Sequence, residues 1–324
     1  MTIQLDITNA CNLTCSHCYH PHHSNFGSLS LIEWQAILKQ IEYFLKKFGF
    51  FPRFVFCGGE PLLSPYLKTL IQNINEKWPQ AEIIILTNGT VYKESIFKFL
   101  NPETTGIQVS LDGPNEYHHD LVRGKGSFKK SLVGIERMLN DGHEVSTLSI
   151  LSRRTATWVP EFFDLAKKIG VSSQNFTRLI AQGHGKELIS TKADSALTGL
   201  DLKSAMSQII IESFRTGVPT NTHQPLFALI DKTFGQNSLF GFDAIIIDYK
   251  GNLKATSRAE LILGNLKHEK LESVYLHNKV LNDVRDRKVE TCGKCELYEV
   301  CGGDRNAAYA EFGRFTARDP GCWK

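Results

Sequence analysis

No stretch of this 324-residue chain is long and apolar enough to span a bilayer; Ile83-Ile84-Ile85 and Ile245-Ile246-Ile247 are strand-sized runs. No charged and apolar leader precedes Thr2-Ile3-Gln4-Leu5-Asp6, so a signal peptide is not expected, and a cytoplasmic location without a membrane partner follows. Blocks of like charge are missing as well. The 37 Lys and Arg nearly balance 34 Asp and Glu, for a net charge of +3, and a run as short as Arg153-Arg154 suits a solvated face. Nucleic-acid binding is therefore not indicated. Internal repeats and low-complexity tracts are also absent. With 42% hydrophobic residues the chain can bury a full core, and its length suggests about two domains.

What the chain does have is cysteine, eight in all, with seven gathered at its two ends. In a reducing cytosol such residues stay thiols, and metal binding outweighs disulfides. The first set is Cys11, Cys15 and Cys18, a C-x3-C-x2-C run; the second is Cys292, Cys295, Cys301 and Cys322. Thiolates so closely spaced suit iron–sulfur ligation. Three ligands leave one iron of a four-iron cluster open to chemistry, whereas four close a cluster and suit electron transfer or structure. Zinc is the alternative at both ends, with His17, His20, His22 and His23 near the first set, although C-x3-C-x2-C is an unusual zinc spacing. Cys57, the eighth, ends an apolar run and reads as buried filler, with hydrogen donation at the site as the alternative.

Strands are expected at Ile3–Ile7, Phe54–Cys57, Glu82–Thr87, Gly106–Leu111, Val145–Leu151 and Gln174–Ile180. Helices are expected at Leu31–Lys47, Tyr66–Glu76, Lys93–Leu100, Lys129–Asn140, Pro160–Ile169 and Leu202–Phe214, the first capped by Ser30 with Glu33 three residues on. Strands alternating with helices specify an α/β protein with a parallel sheet, open or closing as a partial barrel. Ligands collect at the carboxyl ends of such strands. Cys11–Cys18 follows the first strand, Gly58-Gly59-Glu60 the second, Thr87-Asn88 the third, Ser110-Leu111-Asp112 the fourth, and Arg178 lies at the end of the sixth. Thr216–Thr220 and Gly235–Ser238 read as linker. A strand pair is then expected, Ala244–Asp248 turning through Tyr249–Asn252 into Leu253–Ala255.

The cysteine triad after a first strand, with Gly58-Gly59-Glu60 after the second, resembles the radical S-adenosylmethionine (radical SAM) enzymes. The resemblance implies a partial (β/α)6 barrel of the TIM type over residues 1–215, a linker over 216–240, and a C-terminal auxiliary-cluster domain over 241–324. Gly58, Gly59 and Glu60 are similar to the motif that holds the methionine amino group. Ser110 and Arg123 would face ribose and carboxylate. Asp112, Arg178, Thr87 and Asn88 join them as cofactor-binding candidates, Asp112 with the alternative of satisfying backbone NH groups. Cys292, Cys295, Cys301 and Cys322 resemble the ligands of a SPASM or twitch domain. A second auxiliary cluster would need further cysteines around Phe240–Ala244, near Ala255–Ser257 and just after Cys301, where the sequence has none. The implied cofactors are S-adenosylmethionine and two [4Fe–4S] clusters, one open and one closed.

The implied function is abstraction of a hydrogen atom from a substrate C–H bond, with peptide maturation foremost: oxidative cross-linking, thioether formation or epimerisation of a ribosomal precursor peptide. Because the first strand begins at once, a separate leader-binding protein is one expected partner, and flavodoxin or ferredoxin the electron donor. Cys292–Gly303 and Asp319–Cys322 also resemble maturases of tetrapyrrole side chains, so a haem precursor is the rival substrate. A non-catalytic iron–sulfur carrier is the alternative of another class.

Overall fold

The computed structural model describes residues 1–20, 23–235 and 244–324. Six parallel strands build the central sheet in chain order: β1 (Thr2–Thr8), β2 (Arg53–Gly58), β3 (Glu82–Thr87), β4 (Thr105–Ser110), β5 (Glu144–Leu151) and β6 (Ser173–Arg178). Between and after them run α1 (Leu31–Phe48), α2 (Leu67–Lys77), α3 (Glu94–Phe97), α4 (Glu116–Arg123), α5 (Ser127–Asn140), α6 (Val159–Ile169), α7 (His184–Ser190) and α8 (Gly199–Thr216). Each strand is hydrogen-bonded to its predecessor, so the sheet winds steadily in one direction, as in a (β/α) barrel that stops before closing.

Side-chain alternation explains both faces. On β4, Ile107 and Val109 join the core while Gln108 and Ser110 point to the opposite face. Helix α1 packs Trp34, Ile37, Leu38, Ile41, Phe44 and Leu45 into that core at helical spacing. Its start is a complete capping box of Ser30 and Glu33, and Gly49 ends it in the left-handed conformation.

Three departures from expectation matter. Helices α4 and α7 occupy segments with too few apolar residues to show a period. The pair β7 (Ala244–Ile247) and β8 (Asn252–Lys254) forms as expected, but β7 also lies parallel to β1, and β8 pairs with an unforeseen β9 (Ile262–Asn265). The C-terminal region thus extends the sheet of the first region, giving the strand order β6-β5-β4-β3-β2-β1-β7-β8-β9. Finally, Thr216–Thr220 is more than a linker. Beyond α8, Pro219 accepts from the Gln174 backbone N–H at 3.0 Å, and Asn221 and Gln224 bond Asn175 and Phe176. A sheet edge leaves backbone groups that need partners, and this segment supplies them. Gln236–Ser238 of the expected linker, and Phe240–Asp243 of the segment where a second auxiliary cluster would need cysteines, lie outside the described residues. Three helices complete the chain, α9 (Leu271–His277), α10 (Lys279–Arg285) and α11 (Arg305–Phe312).

Candidate active site

Two backbones meet where β1 and β2 end. The Gly59 N–H donates to Thr8 O and the Glu60 N–H to Ala10 O, both at 2.8 Å. A Cβ on Gly58 would stand 2.1 Å from Thr8 O, and one on Gly59 2.3 Å from Ala10 O. Gly58 also has φ of +128°. Only glycine permits this approach, which draws the cysteine loop over the end of β2.

Glu60 is fully buried and does not line the central cavity. Its Oε1 accepts from the Leu62 N–H at 3.1 Å and from Thr87 Oγ1 at 2.8 Å, and its Oε2 accepts from the Asn88 N–H at 2.8 Å. Burial raises its pKa to about 6 against these three donors. The side chain expected to meet the methionine amino group is thus a brace tying the ends of β2 and β3 together. Asn88 is passed forward by that brace: its Nδ2 donates to Asn12 Oδ1 at 2.9 Å and to Cys11 Sγ at 3.9 Å.

A second brace spans β4, β5 and α4. Buried Asp112 accepts from the Ile150 N–H at 2.7 Å and from Arg123 Nε at 2.5 Å, and Nε2 of His17 lies 2.8 Å from its Oδ2. Burial opposes its ionisation, but Arg123 and His17 hold the carboxyl well below the usual range. Arg123 Nη1 reaches Cys15 Sγ at 3.9 Å. Arg123 therefore faces the cysteines with its charge already matched by Asp112.

Cys11, Cys15 and Cys18 line one cavity of about 260 Å³ together with Gly58, Gly59, Thr87, Asn88, Ser110, Asp112 and Arg123. Among the described residues no three His, Cys, Asp or Glu side chains converge as a single metal ion requires. Desolvation pushes all three thiols up, Cys15 to about 11. Cys57 is buried, lies 3.9 Å from Tyr19 Oη and also borders the cavity.

Gln4, Tyr19, Gln108, Thr177, Ser257 and Arg258 line the cavity but were not singled out from sequence, whereas His17, noted there only as a zinc alternative, lines it and braces Asp112. Gln4 and Gln108 did leave a signal, since each is a polar residue alternating with buried apolar ones on a strand. Ser257 and Arg258 come from the segment after β8, brought in by the pairing of β7 with β1. Arg178 belongs elsewhere. It turns away from the cavity to pair with Asp319, Nη1 lying 3.0 and 2.8 Å from the two carboxylate oxygens, with Asp304 at 3.7 Å. Expected to hold cofactor, it joins β6 to the C-terminal module instead. In that module Cys292, Cys295, Cys301 and Cys322 line one pocket with Leu226, Leu229, Leu297, Tyr298 and Asp319.

The radical SAM superfamily profile matches residues 5–166, half of the chain and the half that bears the triad, both braces and the glycine pair. The chain belongs to the radical SAM superfamily. Over 99% of its length this radical SAM protein is 24% identical to an AdoMet-dependent heme synthase of Methanosarcina barkeri, covering 95% of that protein. It is also 24% identical to the antilisterial bacteriocin subtilosin biosynthesis protein AlbA of Bacillus subtilis, covering 92% of this chain and 65% of that protein. A solved structure titled native anSMEcpe with bound AdoMet and Cp18Cys peptide superposes with a TM-score of 0.75 at 20% identity, over 99% of this chain and 94% of that one.

Membership makes the chain an enzyme of radical SAM type and implies a [4Fe–4S] cluster and S-adenosylmethionine. The cavity fits both. Three unbridged thiols line one wall, two side-chain N–H donors reach their sulfurs, and polar groups of β3 and β4 face them. Cys11, Cys15 and Cys18 would hold the cluster, and S-adenosylmethionine would lie against Gly58, Gly59, Asn88 and Ser110, which line the same cavity. No helix among the described residues is long and apolar enough to cross a membrane.

Proposed function

We propose that this enzyme oxidises a peptide, using an auxiliary cluster held by Cys292, Cys295, Cys301 and Cys322 as its electron acceptor. When bound at the triad, the cluster and S-adenosylmethionine supply a 5′-deoxyadenosyl radical that takes a hydrogen atom from substrate. The chain's own residues orient the reactants and exclude water from the cavity. Residues 1–215 carry this chemistry; residues 241–324 close the far wall with Ser257 and Arg258 and hold the acceptor. The expected partners are a precursor peptide, a separate leader-binding protein and flavodoxin or ferredoxin.

The observation that carries the peptide reading is the polar wall formed by Gln4, Gln108, Thr177 and Ser257. Glutamine and hydroxyl side chains both donate and accept, which suits amide groups. A tetrapyrrole carrying several carboxylates would call for cations. Of the two arginines among the described lining residues, Arg123 is committed to Asp112. The tetrapyrrole reading is favoured by a different observation: matches to haem synthases span 86–95% of those proteins, against 65% for AlbA.

The deciding experiment is mass spectrometry of a short peptide encoded beside the gene, co-expressed with the enzyme or with its Cys11/Cys15/Cys18→Ala variant. Loss of hydrogens only with the intact triad supports oxidation of the peptide; deuterium uptake from heavy water without loss of hydrogens keeps the peptide substrate but replaces oxidation by epimerisation, which needs no acceptor. An unchanged peptide, with a mass change of an iron tetrapyrrole incubated with the reduced enzyme, replaces the peptide reading.

A further inference from the structure

Arg305 is among the largest fully buried side chains of the protein, with 2% of its surface exposed. Burying a guanidinium is costly unless every donor is used and an anion balances the charge. Its donors are well used. Nε reaches Gly303 O at 3.2 Å, and Nη1 reaches Phe315 O at 2.7 Å and Ala317 O at 2.6 Å. These are neutral carbonyls. The remaining partner is Cys292 Sγ, 3.7 Å from Nη2. Nearby carboxylates are committed to others: Asp319 to Arg178, the Asp304 N–H and the Gly321 N–H, and Asp304 to the start of α11.

The backbone is shaped around this contact. Gly303 has φ of +69°, and a Cβ there would lie 2.4 Å from Arg305 Nη2 and 3.3 Å from Cys292 Sγ. The turn after Cys301 therefore leaves room for the guanidinium to lie against the sulfur.

We propose that Arg305 is a positioning residue for the auxiliary cluster, its buried charge balanced by the cluster's thiolates and its Nη2–H fixed on the Cys292 sulfur. This rests on the reading of Cys292, Cys295, Cys301 and Cys322 as ligands of a [4Fe–4S] cluster. A four-thiolate cluster is anionic and gains one further negative charge on one-electron reduction. A cationic donor held on a ligand sulfur stabilises the reduced form and raises the potential. Arg305 thereby makes the cluster a better acceptor.

The test uses the full-length chain carrying Cys11/Cys15/Cys18→Ala, so that only the C-terminal cluster is observed. With dithionite as reductant, an EPR-monitored titration of Arg305→Gln is expected to show a lower midpoint potential at unchanged iron and sulfide content. Arg305→Lys, which keeps the charge, should restore part of the shift. Arginine labelled with ¹⁵N in the guanidinium should give a nitrogen hyperfine coupling in the otherwise native module, lost in Arg305→Lys. This readout also serves if Arg305→Gln fails to fold. A loaded cluster with no nitrogen coupling, or an unshifted midpoint in a folded Arg305→Gln, overturns the proposal. Zinc, or no iron, in the parent protein would instead overturn the auxiliary-cluster reading beneath it.

Discussion

Arg178, the last residue of β6, grips both carboxylate oxygens of Asp319, three residues before Cys322, at 3.0 and 2.8 Å. Asp319 has no exposed surface and Arg178 is partly buried, so the contact fixes the C-terminal cysteine module against the end of the parallel sheet. Removing one partner of a buried pair leaves an uncompensated charge, at a cost of about 3–5 kcal/mol. Arg178→Met should lower the thermal midpoint and reduce the iron bound by the C-terminal set. Cleavage of S-adenosylmethionine at the N-terminal triad should decline much less. Iron quantification with the triad present and absent separates the two.

The Asp112–Arg123 contact predicts strong coupling. Asp112→Asn leaves Arg123 without its carboxylate, and Arg123→Gln leaves buried Asp112 with only His17 and the Ile150 N–H, whereas the double variant removes both charges. A double-mutant cycle should give a coupling of about 1–3 kcal/mol, read by denaturant unfolding. The pH dependence has a definite sign. The folded carboxyl titrates below its usual value of 3.8, so its contribution to stability is present above that pH and lost as the pH falls below it. Arg123→Gln should shift this loss to higher pH.

Gly59→Ala tests the close approach of the cysteine loop. The added carbon would sit within 2.7 Å of three backbone atoms of Asn9 and Ala10, which cannot move without displacing the loop. Iron at the triad and binding of S-adenosylmethionine should both fall sharply while C-terminal iron remains. Gly106→Ala, with nothing within 4 Å of its Cβ, is the matched control and should load normally.

Asp6 predicts a stabilising substitution. Among the described residues its Oδ2 finds no hydrogen-bond partner, and burial raises its pKa to about 6, partly offset by Lys254. A raised acid contributes most to stability below its unfolded value near 3.8, and that contribution is lost as the pH rises to about 6. Asp6→Asn, still able to accept from Gln4 Nε2, should gain up to about 3 kcal/mol at neutral pH. The advantage should shrink at pH 5, as measured by thermal unfolding at both values.

Much of the barrel was legible because its signals are local. Glu82–Thr87 coincides with β3, and Ser30 with Glu33 marks the start of α1, since alternation and capping depend on residues a few positions apart. The short helices α4 and α7 were not legible. Glu116–Arg123 buries only His119 and Val122, too little apolar surface to set a period. Of the site, the cysteines, Asn88 and Ser110 were singled out from their place after strands and Arg123 from the family resemblance, and all of them line one cavity. Glu60 and Arg178 were found but not their partners, because nothing local tells a buried carboxylate that braces two strands from one that meets a ligand.

By itself, the sequence determined the strand–helix alternation, the triad, the glycine pair and membership in the superfamily. Each of these is written in the spacing of neighbouring residues. The tertiary structure alone decided that β7 extends the sheet beside β1, that Arg258 reaches the cavity, that Arg178 pairs with Asp319 of the C-terminal module, and that Arg305 is buried against Cys292. Those outcomes depend on contacts between residues far apart in the chain, such as Thr2 with Ala244 on the paired strands and Arg178 with Asp319, where burial and charge balance select the partner.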